Sequence, residues 1–275
     1  MNLNRLNDIK TQPGGTGKMP VLFLGHGSPM NAIEENEFVA GFRMIAETIP
    51  PPLAILCISA HWETKGTFVT AMENPPTIHD FGGFPKKLFD VQYPAPGSPE
   101  LAKHIKDTVR KTATGLDMKW GLDHGAWSVI KHLYPDAGIP VVQMSLDYYQ
   151  TIDYHYELAG ELADLRNKGI LVIGSGNIVH NLSSIAWDRL NDDEYGFDWA
   201  FEARDKMRQL ILSGDHKTLT SYLSLGSSFR MAIPTPEHFL PLLYALALQK
   251  KDEIITLFND KVIAGSIGMT SLKIG

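Results

Sequence analysis

The sequence predicts an α/β fold, a single domain with a mostly parallel central sheet flanked by helices. Short apolar, β-branched runs of strand length recur along the 275 residues. Stretches of helical period separate them. No internal repeat, low-complexity linker or charge block divides the chain. Strand–helix alternation of this kind packs helices on a parallel sheet.

The first 18 residues, MNLNRLNDIKTQPGGTGK, are polar with Gly and Pro and lack the apolar core of a signal peptide. They are expected to form a flexible tail, with the domain running over 19–275. The expected strands are Pro20–Gly25 (PVLFLG), Leu53–Ala60 (LAILCISA), Ile139–Leu146 (IPVVQMSL) and Gly169–Gly176 (GILVIGSG). Each is apolar on both faces, as a strand buried between helices must be. Helices are expected over Phe38–Thr48, from Pro99 to Lys111, and over Ala126–Leu133, ending before Pro135. The strongest helical pattern is TIDYHYELAGELADLRNKG. Leu158, Leu162 and Leu165 form its apolar stripe and Gly169 supplies its stop. Further helices are expected over Asp198–Leu212, Lys217–Leu223 and Pro236–Gln249, the last capped by Thr235 with Pro236 at its first position. The C-terminal AGSIGMTSLKIG alternates more and is expected to be an antiparallel edge strand.

Composition narrows the partners. A hydrophobic fraction of 44% with 20% charged residues suits a sizeable core. A formal net charge of -6, with no basic stripe, argues against nucleic acid. No stretch reaches the roughly 20 apolar residues of a membrane helix. The single cysteine, Cys57, lies inside an apolar run, reads as a buried small hydrophobe and suits a reducing cytoplasm.

The chemistry is carried by histidines. In LFLGHGSPM, an apolar run ends on His26 between two glycines. ILCISAH puts His61 just past another strand, and LVIGSGNIVH puts His180 a few residues beyond a third. Ligands of open α/β sheets collect outside the carboxyl ends of the strands. Neutral imidazole is the commonest metal ligand there. His26 and His61 are too far apart for a local chelating motif, so their placement rather than their spacing carries the reading. His238 lies in PTPEHF. On a helix it would point roughly 100° from Glu237, so the pair is not expected to share one site. His124, in DHGAW, repeats the histidine–glycine pairing at a helix start. His79 and Asp80 sit in the Pro/Gly-rich stretch Asn74–Pro85, whose composition suits a functional loop. His104, His132, His155 and His216 have no convergent context. GHGSP and GSGN lack the spacing of phosphate loops, and IGSGN lacks that of a serine-hydrolase elbow. A zinc hydrolase or a non-catalytic binding domain is compatible with the same histidines.

Seven blocks together, FLGHGSPM, SAHW, PPTIHDFGGFP, YPAPGSPELA, DHGAW, GSGNIVHNL and PTPEHFLPLLY, make the chain resemble the class III extradiol ring-cleavage dioxygenases. The nearest branch is the 4,5-DOPA extradiol dioxygenase-like one. The blocks run in order from about Met19 to the C-terminus. The resemblance implies a single α/β domain holding one divalent metal ion, Fe²⁺ or, in some members, Zn²⁺. It implies His26 and His61 as ligands, and His238 as a third where protocatechuate-cleaving relatives carry glutamate, which makes the site more neutral. His180 resembles the acid/base histidine and is also able to fill a fourth ligand position. His124 resembles a second histidine bordering the pocket. Ser28, His79 and Asp80 are the expected substrate contacts. The implied reaction takes a small catechol and O2 and opens the ring beside the diol to a semialdehyde. A histidine near neutrality takes the catechol proton and later returns it. Zinc has no accessible second oxidation state, so it would not support that redox step.

Overall fold

The computed structural model describes residues 18–190 and 192–275. The expected tail lies outside these except for Lys18. In chain order the strands are β1 (Val21–Gly25), β2 (Ala54–Thr64), β3 (Thr67–Thr70), β4 (Thr114–Asp117), β5 (Val141–Asp147), β6 (Ile170–Gly176), β7 (Ile255–Phe258), β8 (Val262–Ile263), β9 (Ile267–Gly268) and β10 (Ser271–Ile274). Eight of them make one sheet in the order β4-β3-β5-β2-β6-β1-β10-β7, while β8 and β9 pair separately. The four predicted strands, β5, β2, β6 and β1, lie side by side at its centre and are all parallel.

Successive strand residues point to opposite faces, so each central strand feeds two cores. Val21, Phe23, Leu56, Ile58, Val142 and Val172 pack on one face, under Leu158, Met207 and Leu243 of three helices. Leu22, Leu24, Ile55, Cys57, Leu171 and Ile173 pack on the other, under Phe42, Trp127 and Ile130. This two-sided burial explains why the strands are apolar throughout. Cys57 is free and buried, and burial pushes its thiol pKa up, as a core residue's should be. Among the described residues no helix is long and apolar enough to cross a membrane.

Several expectations need correction. The C-terminal strand is antiparallel to β1, as expected, but β10 is not the edge. β7 pairs with its other side and takes that place. Leu272 and Ile274 of β10 are fully buried, whereas β7 is half-exposed along most of its length. The short strands β3, β4 and β7 carried too few residues to stand out from their loops. The helical stretch after Thr151 splits into an α-helix, Ile152–Glu161, and a 3-10 turn, Ala163–Lys168, which ends at Gly169 in the left-handed region (φ 74). Lys217–Leu223 likewise becomes a short helix, His216–Thr220, and a 3-10 turn, Tyr222–Leu225.

The expected helix over Pro236–Gln249 shrinks to Leu240–Ala247. Pro241 is the cause. In a helix begun at Pro236 it would sit in the interior, without an N–H and against the carbonyl of residue 237. At the first turn it is tolerated. Thr235 therefore caps nothing, and its hydroxyl donates to Glu237 Oε1 (2.9 Å).

Candidate metal centre

Five histidines arrive at one end of the sheet by five routes. His26 follows β1, and its N–H still donates to Gly176 O (3.1 Å) of β6. Gly27 then turns the chain at φ +62. His61 differs from expectation: it lies inside β2, which runs on to Thr64. The β2–β5 register shifts between Ile58 and Glu63, and pairing to β6 stops at Ser59. Such an irregularity re-aims a side chain out of the ladder. His180 lies beyond β6, bridged to Ile267. His124 opens the helix His124–Leu133, capped by the Asp123 side chain, which accepts from Ala126 N. The next residue, Gly125, admits His61: a Cβ there would lie 2.8 Å from His61 Cδ2 and 2.4 Å from Ser59 Oγ. His238 lies in the turn before the helix Leu240–Ala247, and its carbonyl accepts from Asn177 N (2.9 Å).

The rings converge. His26 lies 5.0 Å from His61 and 5.2 Å from His238, and His61 lies 5.0 Å from His238, centroid to centroid. His124 sits 3.8 Å from His61, and His180 stacks on His238 at 3.5 Å. The donor atoms of His26, His61 and His124 all fall within 4.8 Å of one another, as do those of His180, Glu237 and His238. The expected ligands thus divide between two groups that the ring distances join. Glu237 and His238 do meet, at 3.1 Å, contrary to the helical expectation. Neither is in a helix, so the 100° rule does not apply.

Proton accounting fixes how these rings face. The Ser175 hydroxyl donates to Gly125 O, so its oxygen is left to accept from His26 Nδ1 (3.0 Å). Glu237 Oε1 accepts from His238 Nδ1, and Asp80 Oδ2 from His124 Nδ1 (2.9 Å). The same Asp80 oxygen stands 3.5 Å from His61 Nδ1. Acceptors at Nδ1 of His26, His124 and His238 leave Nε2 as the lone-pair nitrogen of these three rings. His26 Nε2 and His61 Nε2 then face each other at 3.2 Å, and His238 Nε2 is buried without a hydrogen-bond partner. An orphaned buried acceptor is costly. Burial, reinforced by the neighbouring imidazoles, holds the pKa of His26 and His61 well below the ordinary value. Burial also lowers His238, and brings His180 down to about 3. His26, His61, His180 and His238 are therefore neutral at pH 7. This is a donor set built for a cation.

The expected substrate contacts lie differently. Ser28 is exposed, and its hydroxyl oxygen accepts from Met30 N (3.2 Å). His79 Nε2 meets Val91 O (2.9 Å), with its ring among Phe81, Phe89 and Trp127. Asp80 spends both oxygens on His124. Sequence reasoning missed the residues behind the rings. Ser175 carried no signal of its own. Asp123 did, as the N-cap immediately before a helix. It is fully buried and accepts from Ser59 Oγ (2.6 Å) and Gln143 Nε2 (2.6 Å).

The pattern of the family described as the catalytic LigB subunit of aromatic ring-opening dioxygenase matches residues 20–268. The chain belongs to the LigB family of aromatic ring-opening dioxygenases. It is 44% identical to the 4,5-DOPA dioxygenase extradiol of Escherichia coli (strain K12) over 94% of this chain and 95% of that one. It is 35% identical to the protein of that name from Beta vulgaris, over 91% and 94%. A crystal structure of an uncharacterized Escherichia coli K12 protein superposes with a TM-score of 0.80 at 39% identity, covering 94% of this chain and all of that one. The chain is accordingly an extradiol dioxygenase, acting on an aromatic ring with O2. The buried His26, His61 and His124 group could hold a metal ion, in keeping with the family.

Proposed function

We propose that this dioxygenase cleaves a small catechol of the DOPA type beside its diol, giving a ring-opened semialdehyde. The observation that carries the reading is the pair of Nε2 atoms of His26 and His61. These residues are 35 apart in the chain, yet the atoms face each other at 3.2 Å, with Ser175 Oγ on the far nitrogen of His26 and Asp80 3.5 Å from that of His61. His26, His61 and His238 would hold the ion, with His180 beside them. Bound ferrous iron would supply the electron transfer between diol and O2 that zinc does not support. Zinc competes well for nitrogen ligands, so the working ion is assigned as Fe²⁺ on chemistry rather than on affinity. The branch's names for its members support the substrate class.

His180 is the leading acid/base. Burial brings its pKa to about 3, so the imidazole is neutral at pH 7 with its lone pair free, and a base that weak would take the proton only from a bound diol that is itself acidified. His124, held by Asp80, is the second histidine of the pocket. Ser28, exposed two residues beyond His26, is the substrate contact at the mouth. The lone buried thiol suits a reducing, cytoplasmic setting. Anaerobic reconstitution with Fe²⁺, followed by O2 and a panel of catechols that includes DOPA, tests this. A yellow ring-opened product is expected. Silence across the panel with iron bound would overturn the reading in favour of metal-dependent hydrolysis.

A further inference from the structure

Asp80 sits on the Asn74–Pro85 stretch, which the reaction does not by itself explain. Its carboxylate makes a two-pronged contact with one residue. Oδ1 accepts from the His124 backbone N–H (2.8 Å) and Oδ2 from His124 Nδ1 (2.9 Å). Oδ2 also faces His61 Nδ1 at 3.5 Å. His124 is the first residue of its helix, so its N–H has no partner within that helix. The contact is shielded: the side chains of His124 and Asp80 are 6% and 16% exposed. The stretch itself is pinned immediately before Asp80, by Ile78 N to Leu122 O (2.7 Å), Trp127 Nε1 to Ile78 O (2.8 Å) and His79 Nε2 to Val91 O. The carboxylate is thus held in place independently of the histidine it touches.

We infer that Asp80 is a positioning residue for ring cleavage, fixing His124 as the Nδ1–H tautomer so that Nε2 keeps the lone pair offered to the pocket. The kinetic part rests on the ring-cleavage reading; the tautomer does not. Two donors on His124 demand two acceptors, and a carboxylate alone supplies both. The carboxamide in Asp80→Asn offers one acceptor and one donor. With the amide oxygen on the His124 backbone N–H, the amide NH2 faces Nδ1 and sets donor against donor unless the imidazole moves its proton to Nε2. The flipped amide sets its NH2 against the backbone N–H whatever the tautomer.

Long-range ¹⁵N–¹H correlation spectra of the full chain, metal-free and with Zn²⁺, report that proton directly. The wild type is expected to show His124 protonated at Nδ1, and Asp80→Asn to show it at Nε2. In Fe²⁺-loaded enzyme with a catechol, Asp80→Asn should lower kcat about 10–100-fold with KM little changed. On a His124→Gln background the same substitution should cost little more, because Asp80 acts through His124. Wild-type His124 protonated at Nε2 would overturn the proposal without any variant. So would an unmoved tautomer in Asp80→Asn, or losses that multiply in the double variant. If the wild type opened no catechol at all, the spectra would still decide the positioning role, and only the reaction would be in question.

Discussion

His26 and His238 owe their usefulness to neighbours that hold the nitrogen facing away from the centre. Ser175, 149 positions from His26, accepts from its Nδ1 and donates its own hydroxyl hydrogen bond to Gly125 O. Ser175→Ala should leave a buried N–H unpaired. We expect it to destabilise the chain by about 1–3 kcal/mol in denaturant unfolding. Equilibrium metal titration should show binding weakened about 10–100-fold. The roles also separate: His61→Ala should abolish metal binding, while His180→Ala should keep the ion and lose turnover. Metal analysis beside an activity assay checks both, and an emptied site in His180→Ala would make that residue a ligand. The histidines were legible because a strand ending on His26, or a helix opening on His124, is a local pattern. Their acceptors were not, because a serine in GSG or an aspartate in a loop looks the same whether or not it faces a distant ring.

At the scale of elements, what the sequence revealed depended on length. Long two-sided apolar runs such as LAILCISA gave the central strands, but the four-residue strands β3, β4 and β7 were missed. The irregularity that carries β2 past Ala60 to His61 left no mark in composition either. Pro241 did leave a mark, and it places the helix start after His238. The helix His124–Leu133 brings His124 beside His61, and Asp123 fastens its first turn to Ser59 and Gln143. Burial raises the pKa of Asp123 against the pull of those donors, so its ionised form depends on keeping them. Asp123→Ala should cost about 2 kcal/mol or more, from the lost cap together with unpaired buried donors. A thermal or denaturant melt measures it. The Asn74–Pro85 stretch has the composition of a lid but is tied to the body by backbone bonds, Ile78 N to Leu122 O and Leu122 N to Pro76 O (2.8 Å). Slow hydrogen exchange at Ile78 and Leu122 is therefore expected, and exchange as fast as in an exposed loop would contradict it.

Over the whole molecule, polar groups far from the centre tie the chain together. Arg166 is fully buried and donates to Met19 O (2.7 Å), Leu248 O (2.7 Å) and both oxygens of Glu253 (2.8 and 2.6 Å). Removing one partner of such a pair strands a buried charge, so Glu253→Ala should destabilise by about 3 kcal/mol in a chemical melt. Acid should weaken the metal-free fold in two steps. Burial lowers His155 to about 4, so between an unfolded value of 6.5 and that point the unfolded chain binds more protons. Stability there rises with pH and falls on acidification. Burial alone would raise Glu253, but hydrogen bonds from Arg166 and Lys18 outweigh it and hold the carboxyl at about 2. Its contribution is present above 4.5 and disappears as pH drops from there toward 2. Denaturant midpoints measured across this range should decline through both windows. A midpoint that stays flat from pH 7 to pH 4 would contradict the first.

The fold brings imidazoles from separate strand ends together, and we propose that they hold one ion. Anaerobic titration of the metal-free chain with Fe²⁺ at pH 7, followed by calorimetry, tests that most directly. The expected result is saturation at one ion per chain with little proton release, because the imidazoles are already neutral, and no saturable binding in a His26→Ala/His61→Ala variant. Stoichiometry unchanged in that variant, or no binding by the wild type, would contradict it.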